Sequence, residues 1–339
     1  METGRREPLT VECTRGPAVE SRHLVDAALV DPAGRLVQGW GETDAVVYPR
    51  SAIKSVQVLP LIETGVAERF AVTDEEIAVA CSSHNGQPAH VAVVRAWLAR
   101  AGLGEDDLEC GPHLPRHTAS AHACLRAGEP ARAVHNMCSG KHAAFLVTAR
   151  ALGEPTEGYI ARDHPVQQRV SAAIAALSGH DLARAPWAVD GCSIPTIGLP
   201  LSGLARAAAR IADPAGLGDE RRAAIARVRR AVAGHPFMVA GDGRACTRIT
   251  QTAGARVLVK FGAEGVFFAA LHESGLGLAL KVRDGAARAA NAAVAAMLDR
   301  LGVLDDRDRE ALADMIERPL RNWAGRLVGA VRTAQDGEP

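Results

Sequence analysis

The sequence predicts an α+β protein whose antiparallel sheet is built from both ends of the chain and flanked by helices. Two apolar runs near the N-terminus, 23–30 and 35–40, are joined by Asp31-Pro32-Ala33-Gly34, a turn sequence that is typical of a β-hairpin. Three short runs with strand character, separated by glycine-containing turns, lie near the C-terminus: 255–261, 266–271 and 277–282. Between the two groups, apolar residues recur at three- and four-residue spacing, which indicates helices.

The predicted helices fill most of the middle of the chain. They are 53–61, 74–80, 88–101, 141–152, 165–177, 203–211 and 219–233, and two more, 286–301 and 305–316, follow the last of these strands. Strands at both ends with helices between them are not the alternating order of a doubly wound parallel sheet. We therefore predict a single unit, 1–339, with a sheet-bearing subdomain formed by 20–50 and 250–339 and a mainly helical subdomain at 51–249.

Charge and hydropathy exclude several classes of protein. The 39 Lys and Arg residues balance the 39 Asp and Glu residues. With a pI near 7.2, the chain lacks the basic excess that binding to nucleic acid or anionic membranes requires. No apolar run reaches the roughly 18 residues of a membrane helix, and the N-terminal sequence lacks the apolar core of a signal peptide. We expect a soluble cytoplasmic protein.

Lysine is rare in this chain, and its positions are therefore informative. It occurs four times against 35 arginines, although it normally ranks among the commonest residues. Where any cation suffices, this sequence uses arginine. The lysines at positions 54, 141, 260 and 281 are thus candidates for tasks that a permanently charged guanidinium cannot perform, such as acting as a neutral base or a metal ligand.

Ser51 and Lys54 form a Ser-x-x-Lys pattern. If Ser51 opens a helix, residues three apart share one face, and the hydroxyl and the amine come within reach of each other. A lysine desolvated at a helix N-terminus can serve as the base that takes a serine proton. The pattern is short, however, and taken alone it is explained better by a capping serine followed by a surface lysine.

Two other lysines lie at the ends of apolar strands. Lys260 is followed by glycines that would let a ligand approach the backbone, or it could protect an edge strand against aggregation. Lys281 adjoins no hydroxyl-bearing motif, so the protective role is favoured there. A separate polar stretch, Cys81-Ser82-Ser83-His84-Asn85-Gly86-Gln87-Pro88, precedes a helix and could present a hydroxyl and an amide into a cleft, or merely cap that helix.

The seven cysteines lack the spacing of a disulfide-rich domain, so free, buried or metal-bound thiols are expected. Cys138 and Lys141 lie three apart, and Asp190 and Cys192 follow in a second loop. Two thiolates, a carboxylate and an amine could bind zinc. Spacing alone nevertheless favours two ordinary reduced cysteines, because no Cys-x-x-Cys occurs and a neutral lysine is a rare ligand.

Taken together and in order, the motifs resemble those of the L-asparaginase II family, the Rhizobium-type or class 3 asparaginases, which are related in fold to serine β-lactamases and serine-dependent glutaminases. The motifs are Ser51-Ala52-Ile53-Lys54, Cys81-Ser82-Ser83-His84-Asn85-Gly86, Asn136-Met137-Cys138-Ser139-Gly140-Lys141-His142, His164-Pro165-Val166-Gln167, Asp190-Gly191-Cys192, His235-Pro236-Phe237-Met238-Val239-Ala240-Gly241 and Lys260-Phe261-Gly262-Ala263-Glu264-Gly265. The resemblance extends from about residue 20 to residue 330. It implies a β-lactamase- or glutaminase-like fold.

The resemblance also implies an activity: hydrolysis of the side-chain amide of L-asparagine to L-aspartate and ammonia. Ser51 and Lys54 match one catalytic Ser-Lys pair of the family, and Ser83 and Lys260 match a second pair facing it. Lys54 would take the proton of Ser51, which attacks the amide carbon; ammonia leaves, and water then hydrolyses the acyl-enzyme. Ser83 and Lys260 would carry the proton to the leaving amine or hold the hydroxyl network. The rival assignment makes Ser83 the nucleophile.

A zinc cofactor and a homodimer are implied in the same way. Cys138, Lys141 and Cys192 match the family's zinc ligands, and Asp190 matches the acidic neighbour of that site. The zinc would position the α-amino and carboxylate end of the substrate or order the loops. The side chains expected to bind substrate are Asn85, His142 and Asp190.

Three alternatives stay open. A serine-dependent glutaminase would share the Ser-Lys apparatus and differ in pocket length. A penicillin-recognising enzyme would share the fold, but the sequence lacks a Ser-Asp-Asn-type middle motif. A catalytically silent amino-acid- or zinc-binding regulator would use the lysines structurally.

Overall fold

The computed structural model describes residues 5–334, and its largest element is a nine-stranded sheet. The strands are β1 (Arg5–Arg6), β2 (Leu9–Arg15), β3 (Ala18–Val30), β4 (Leu36–Trp40), β5 (Val46–Val47), β6 (Trp187–Val189), β7 (Pro195–Ile197), β8 (Leu199–Pro200), β9 (Val257–Gly262), β10 (Val266–Leu271), β11 (Leu276–Val282), β12 (Glu317–Arg321) and β13 (Leu327–Thr333). The ends of the predicted unit, residues 1–4 and 335–339, lie outside the described residues.

Helices occupy most of the interval between β4 and β9. They are α1 (Lys54–Gln57), α2 (Leu59–Glu63), α3 (Val66–Arg69), α4 (Asp74–Ala80), α5 (Pro88–Arg100), α6 (Thr118–Arg126), α7 (Ser139–Leu152), α8 (Pro165–Ser178), α9 (Leu201–Ala212), α10 (Asp219–Gly234), α11 (Pro236–Ala240) and α12 (Ala245–Ala253), with α13 (Ala287–Arg300), α14 (Asp306–Ala311) and α15 (Ala313–Ile316) after the last long strand of the central sheet. Short 3₁₀ turns cover Arg50–Ile53, Glu105–Asp107, Ala133–His135 and Gly254–Arg256.

The large sheet runs in the order β12-β13-β2-β3-β11-β10-β9, with β4 pairing β3 and β1 pairing β4. Every pairing is antiparallel except that of β1 with β4. Strands from the two ends of the chain therefore meet at β3 and β11. The predicted α+β class, with a sheet built from both termini, is confirmed, as is the predicted hairpin, which forms from β3 and β4.

The chain divides into two compact units. The sheet unit contains residues up to 52, 199–213 and residues from 248 onward. The helical unit contains 53–198 and 214–247. Helix α9 belongs to the sheet unit, although it falls within the interval 51–249 that the sequence pattern assigns to the helical subdomain.

In the sheet unit, helices α9 and α13 both contact β10 and β11. All six residues of β10 are buried, so both faces of the sheet are covered at this strand. Gly277 of β11 permits the approach of α9, because a Cβ at this position would lie 2.0 Å from the carbonyl oxygen of Ala205. Alanines on the buried side of α9 keep the helix backbone close to the strand.

In the helical unit, α4 contacts α5, α7, α10 and α11. Its first turn is fixed by a capping box in which the Thr73 hydroxyl accepts from the Glu76 N–H and the Glu76 carboxylate accepts from the Thr73 N–H. Asp74 pairs with Arg230 at 2.8 Å. The hydrogen bond from Arg230 lowers the pKa of the Asp74 carboxyl below its ordinary value. These contacts anchor the helix whose C-terminal end leads directly into the segment 81–87.

Two helices predicted as continuous are interrupted. The interval 53–61 contains the end of a 3₁₀ turn, α1 and the start of α2, because Pro60 has no N–H to continue the helical hydrogen bonds. The interval 305–316 is divided at Leu312 into α14 and α15. The other predicted helices agree with the structure to within two residues at each end.

Several elements were missed from the sequence. Strands β2, β12 and β13 carry charged residues among their apolar ones, so their alternation is weak; β12 is mostly exposed. Helix α6 buries none of its residues, and no apolar period marks it. Among residues 5–334, no helix combines the length and the hydropathy needed to cross a bilayer.

Thr73→Ala should lower the free energy of unfolding by about 1 kcal/mol, because the substitution leaves the Glu76 N–H without its capping hydroxyl. Urea denaturation followed by circular dichroism measures the loss. Thr118→Ala provides the control, since Thr118 is exposed at the first position of α6 and its replacement should change stability by less than about 0.5 kcal/mol. Equal effects of the two substitutions would contradict the capping role.

Candidate active site

The segment 81–87 joins α4 to α5, and every residue in it is buried. It is held by neighbours on two sides. The Ser83 N–H donates to the Val239 carbonyl at 3.0 Å, and the His84 N–H donates to the Met137 carbonyl at 3.3 Å. An irregular backbone is thus fixed inside the helical unit by hydrogen bonds that a helix or strand would otherwise supply.

The His84 side chain ties this segment to the start of α7. Its Nδ1 accepts from the Gly86 N–H at 3.0 Å, which leaves Nε2 to donate to the Ser139 hydroxyl at 2.9 Å. The Ser139 hydroxyl in turn donates to the Val134 carbonyl at 2.9 Å. Burial lowers the pKa of His84 well below its ordinary value, so the ring is neutral and the direction of these hydrogen bonds is fixed.

Lys54 is the first residue of α1, and its side chain is fully buried. Its Nζ donates to the carbonyls of Ser82 and, at 3.4 Å, Met137. It also lies 3.2 Å from the Ser83 hydroxyl and 3.2 Å from the Cys138 sulfur. To act as a base toward Ser83, the amine would have to be neutral, with its two N–H groups on these carbonyls and its lone pair toward the hydroxyl.

The residues expected to bind zinc meet one another in the helical unit. The Lys141 Nζ lies 3.1 Å from the Cys192 sulfur, and the Cys138 thiol is close enough to Cys192 for each to shift the pKa of the other. The interaction with Cys192 lowers the pKa of the Cys138 thiol well below its ordinary value, and the positive charges of Lys54 and Lys141 act in the same direction; the same interaction, with burial, raises the pKa of the Cys192 thiol. All three predicted ligands are buried.

The donor set fits zinc by its chemistry, since two sulfurs and an amine nitrogen converge in a buried place. Among the described residues, no three His, Cys, Asp or Glu side chains form a metal-binding group. The predicted zinc site therefore requires the Lys141 amine as its third ligand. Asp190 lies in the turn between β6 and β7. Although burial opposes it, the two thiols and Asp190 raise the pKa of Lys141 above its ordinary value.

His142 follows Lys141 on α7 and is fully buried. Its Nδ1 lies 2.7 Å from the Tyr159 hydroxyl, which also accepts from the Glu109 N–H at 2.9 Å. Burial lowers the pKa of His142 well below its ordinary value, and Lys141 and Lys54 add to the effect. Within residues 5–334, its Nε2 has no hydrogen-bond partner. A neutral ring with one unused nitrogen is suited to contact a bound molecule.

Asn85 is buried, and its side-chain amide connects the segment 81–87 with the loop after α11. Its Nδ2 donates to the Asp242 carbonyl at 3.2 Å, and its Oδ1 accepts from Arg244 at 2.7 Å. Gln87 binds the same loop, donating to the Asp242 carboxylate at 2.7 Å and accepting from the Asp242 N–H at 2.9 Å. The sequence motifs do not include Arg244, because the motif nearest to it, 235–241, ends at Gly241.

Ser51 and Lys260 belong to the sheet unit. Ser51 lies in the 3₁₀ turn Arg50–Ile53, which packs on the end of β9: a Cβ on Gly262 would lie 2.4 Å from the Pro49 carbonyl oxygen. Lys260 precedes Gly262 by two residues and is buried, with its Nζ donating to the Phe261 carbonyl at 2.7 Å. Glycine at 262 is thus required for the turn that carries Ser51 to sit against the strand that carries Lys260.

Lys281 has a different environment. Its Nζ donates to the carbonyls of Glu264 and Val282, each at 2.6 Å. Strand β11 lies between β3 and β10, so the expectation that Lys281 protects a sheet edge is wrong. The side chain instead closes the turn between β9 and β10 by binding its carbonyl.

Most of the chain is similar to known proteins. The family model described as L-asparaginase II matches residues 11–333, and no curated protein matches the sequence. Three solved structures are similar: one described as a beta-lactamase from Bacteroides dorei DSM 17855 (16% identity, 76% of this chain and 84% of that chain, TM-score 0.40), a beta-lactamase from Mycobacterium bovis (15%, 83% and 95%, 0.42) and Mglu in its native form (16%, 88% and 69%, 0.47). At these identities and TM-scores, the three structures assign no activity to the chain.

Gly140→Ala should disrupt the packing of α7 against α4 and thereby displace residues of the site. A Cβ on Gly140 would lie 2.3 Å from the Val79 carbonyl oxygen, so α7 must move away from α4 and carry Lys141 with it. We expect a loss of about 2 kcal/mol or more in the free energy of unfolding, measured by urea denaturation. Gly234→Ala is the matched control, because Gly234 ends α10 with no atom near its Cβ position and alanine is the better helix former. A Gly140→Ala variant as stable as Gly234→Ala would disprove the close packing.

Proposed function

The chain belongs to the L-asparaginase II family, and from this premise we propose that it hydrolyses the side-chain amide of L-asparagine to L-aspartate and ammonia through a serine activated by lysine. The observation that carries the proposal is the buried Lys54 amine, 3.2 Å from the Ser83 hydroxyl. A serine hydroxyl becomes a nucleophile when an adjacent base takes its proton. A lysine performs this task when its surroundings use its N–H groups and leave its lone pair toward the hydroxyl.

The reaction proceeds in two halves. Lys54 accepts the proton of the attacking serine, whose oxygen forms a bond with the amide carbon. The proton returns to the amide nitrogen as the carbon–nitrogen bond breaks and ammonia leaves. Water then attacks the ester, Lys54 takes a proton from it, and the serine regains its hydrogen as L-aspartate is released.

Two assignments of the attacking hydroxyl compete. In the first, Ser51 attacks, and Ser83 relays the proton between Lys54 and the leaving nitrogen, with Lys260 completing the second Ser-Lys pair. In the second, Ser83 attacks directly. The hydrogen-bond distance from Lys54 to Ser83 supports a relay and a nucleophile equally, because either role requires proton exchange between these two groups.

We also propose that zinc is held by Cys138, Lys141 and Cys192, with Asp190 as the acidic neighbour. When bound, zinc would supply the positive charge that keeps both thiols deprotonated and joins the two loops that carry them. Lys141 would have to lose a proton from Nζ to offer its lone pair. His142 would contact the substrate through its unpartnered Nε2. The family membership leads us to propose a homodimer as well.

Lys54→Arg should reduce ammonia release from L-asparagine by at least 100-fold, because a guanidinium cannot act as the neutral base. The matched control is Lys281→Arg, the same substitution at a lysine that binds two carbonyls, and it should retain wild-type turnover. Parallel assays with L-glutamine distinguish an asparaginase from a glutaminase. A wild-type protein that releases ammonia from neither substrate would reject the proposed function in favour of a silent binding protein.

The same preparation can identify the nucleophile. Acid quenching during turnover, followed by peptide mass mapping, should find the aspartyl ester on either Ser51 or Ser83. Full activity of Lys54→Arg would disprove the role of Lys54 as a base, whichever serine carries the ester.

Metal analysis tests the zinc site. The wild-type protein should contain about one zinc per chain, and Cys138→Ser should lose most of it, because a hydroxyl replaces a thiolate ligand. Cys13→Ser serves as the control, since Cys13 is a buried thiol of the sheet unit and its replacement should leave the zinc content unchanged. Equal and near-zero zinc in all three proteins would remove zinc from the proposal.

A further inference from the structure

The loop after α11 turns back on itself at Gly241, whose φ is +97°. A Cβ at this position would lie 2.4 Å from the Gln87 side-chain oxygen, so the close approach requires glycine. Beyond this turn, the Asp242 carboxylate is engaged by Gln87, and Arg244 points toward Asn85. The loop therefore directs its acidic and its basic side chain to different partners.

Arg244 is half-buried and donates from Nη1 to the Asn85 Oδ1 at 2.7 Å. Among residues 5–334, no carboxylate oxygen lies within 4.0 Å of the Arg244 guanidinium nitrogens, the limit for an ion pair. Burial lowers the pKa of Arg244 below its ordinary value; the Cys246 thiol opposes this shift, and a second cation, Arg116, adds to it. A cation in this position lacks both its full hydration and a carboxylate partner, a costly arrangement that a bound anion would relieve.

Two other half-buried arginines of the helical unit are paired with carboxylates. Arg221 contacts the Glu63 carboxylate through two nitrogens, and Arg169 contacts Glu154 in the same way. Arg244 instead has a neutral amide as its partner. Because a guanidinium has five N–H donors in a planar fork, the hydrogen bond with Asn85 leaves enough donors for both oxygens of a carboxylate.

The position of Asn85 relates this guanidinium to the proposed chemistry. Asn85 follows Ser83 by two residues, so their Cα atoms are separated by at most about 7 Å. Three carbon–carbon bonds separate the amide carbon of asparagine from its α-carboxylate carbon, a span that side chains two residues apart can bridge. Asn85 is held at both ends, by Asp242 and Arg244, and by the His117 N–H that donates to its backbone carbonyl at 3.0 Å.

We propose that Arg244, oriented by Asn85, binds the α-carboxylate of the substrate while the amide carbon faces the serine and Lys54. This inference rests on the proposed hydrolysis of asparagine and adds a specificity-determining residue to it. A free α-carboxylate becomes the feature by which the site selects an amino acid over a simple amide. The neutral Asn85 is essential to this role, since a carboxylate at position 85 would neutralise the guanidinium before the substrate arrives.

Kinetics with two amides test the proposal. β-Alaninamide is asparagine without its α-carboxylate, so it retains the reacting amide and the amine. In Arg244→Leu, kcat/KM for L-asparagine should fall between about 10- and 150-fold, the range expected for hydrogen bonds to a charged group. For β-alaninamide it should change less than threefold. Arg244→Lys should lie between wild type and Arg244→Leu, because an ammonium keeps the charge without the planar fork.

Arg221→Leu is the matched control, since it removes a half-buried arginine of the same unit that already has a carboxylate partner; its preference for asparagine over β-alaninamide should equal that of wild type. An equal fall for both substrates in Arg244→Leu would mean that Arg244 only holds Asn85 in place, and the proposal would be wrong. Wild-type kcat/KM for L-asparagine in Arg244→Leu would also contradict the proposal.

A calorimetric titration keeps this test independent of catalysis. L-Aspartate, the expected product, should bind at least tenfold more weakly to Arg244→Leu than to wild type, whereas binding of β-alanine, which lacks the α-carboxylate, should be unchanged. If the wild-type protein released no ammonia, the proposed function would fail while the titration still decided the role of Arg244. Unaltered aspartate affinity in Arg244→Leu would refute the carboxylate site.

Discussion

The proposed site of the helical unit depends on the hydrogen bonds between the buried Lys54 amine and two backbone carbonyls. The side chain has lost the water that would solvate its nitrogen, and the backbone carbonyls of Ser82 and Met137 replace that water. Both carbonyls must therefore point inward instead of completing a helix or strand. This requirement fixes the paths of two irregular segments, 81–87 and 136–138, and with them the positions of the polar side chains that they carry.

The amine of Lys54 also begins a series of buried groups in which amines and sulfurs meet. Lys54 contacts Cys138, Cys192 contacts Lys141, and Cys138 and Cys192 shift each other's pKa in opposite directions. The Cys138 thiol, whose pKa is lowered, and the nearby Lys54 and Lys141 amines compensate one another's loss of hydration, whereas the pKa of Cys192 is raised. Because removing one member leaves its neighbour uncompensated, the four side chains form a single electrostatic unit, and a change at any of them alters the protonation of the others.

Much of the fold could be predicted from the sequence because hydrophobic periodicity and glycine-containing turns act locally, as at helix 74–80. The contact between Lys54 and Ser83 could not, because 29 residues separate them and spacing arguments compare Lys54 with its neighbour Ser51. Arg244 was missed for a different reason. Among 35 arginines, no single one stands out by composition, and its burial without a carboxylate partner is a property of tertiary structure alone.

The scarcity of lysine has a consequence for the surface of the folded protein. Lys54, Lys141 and Lys260 are buried, and Lys281 is half-buried, so the positive charges at the described surface are guanidinium groups. Reagents and enzymes that acylate or cross-link primary amines find few targets on such a surface. Amine labelling would therefore report on opening of the fold, since most of the lysines become reactive only when their carbonyl and sulfur partners separate from them.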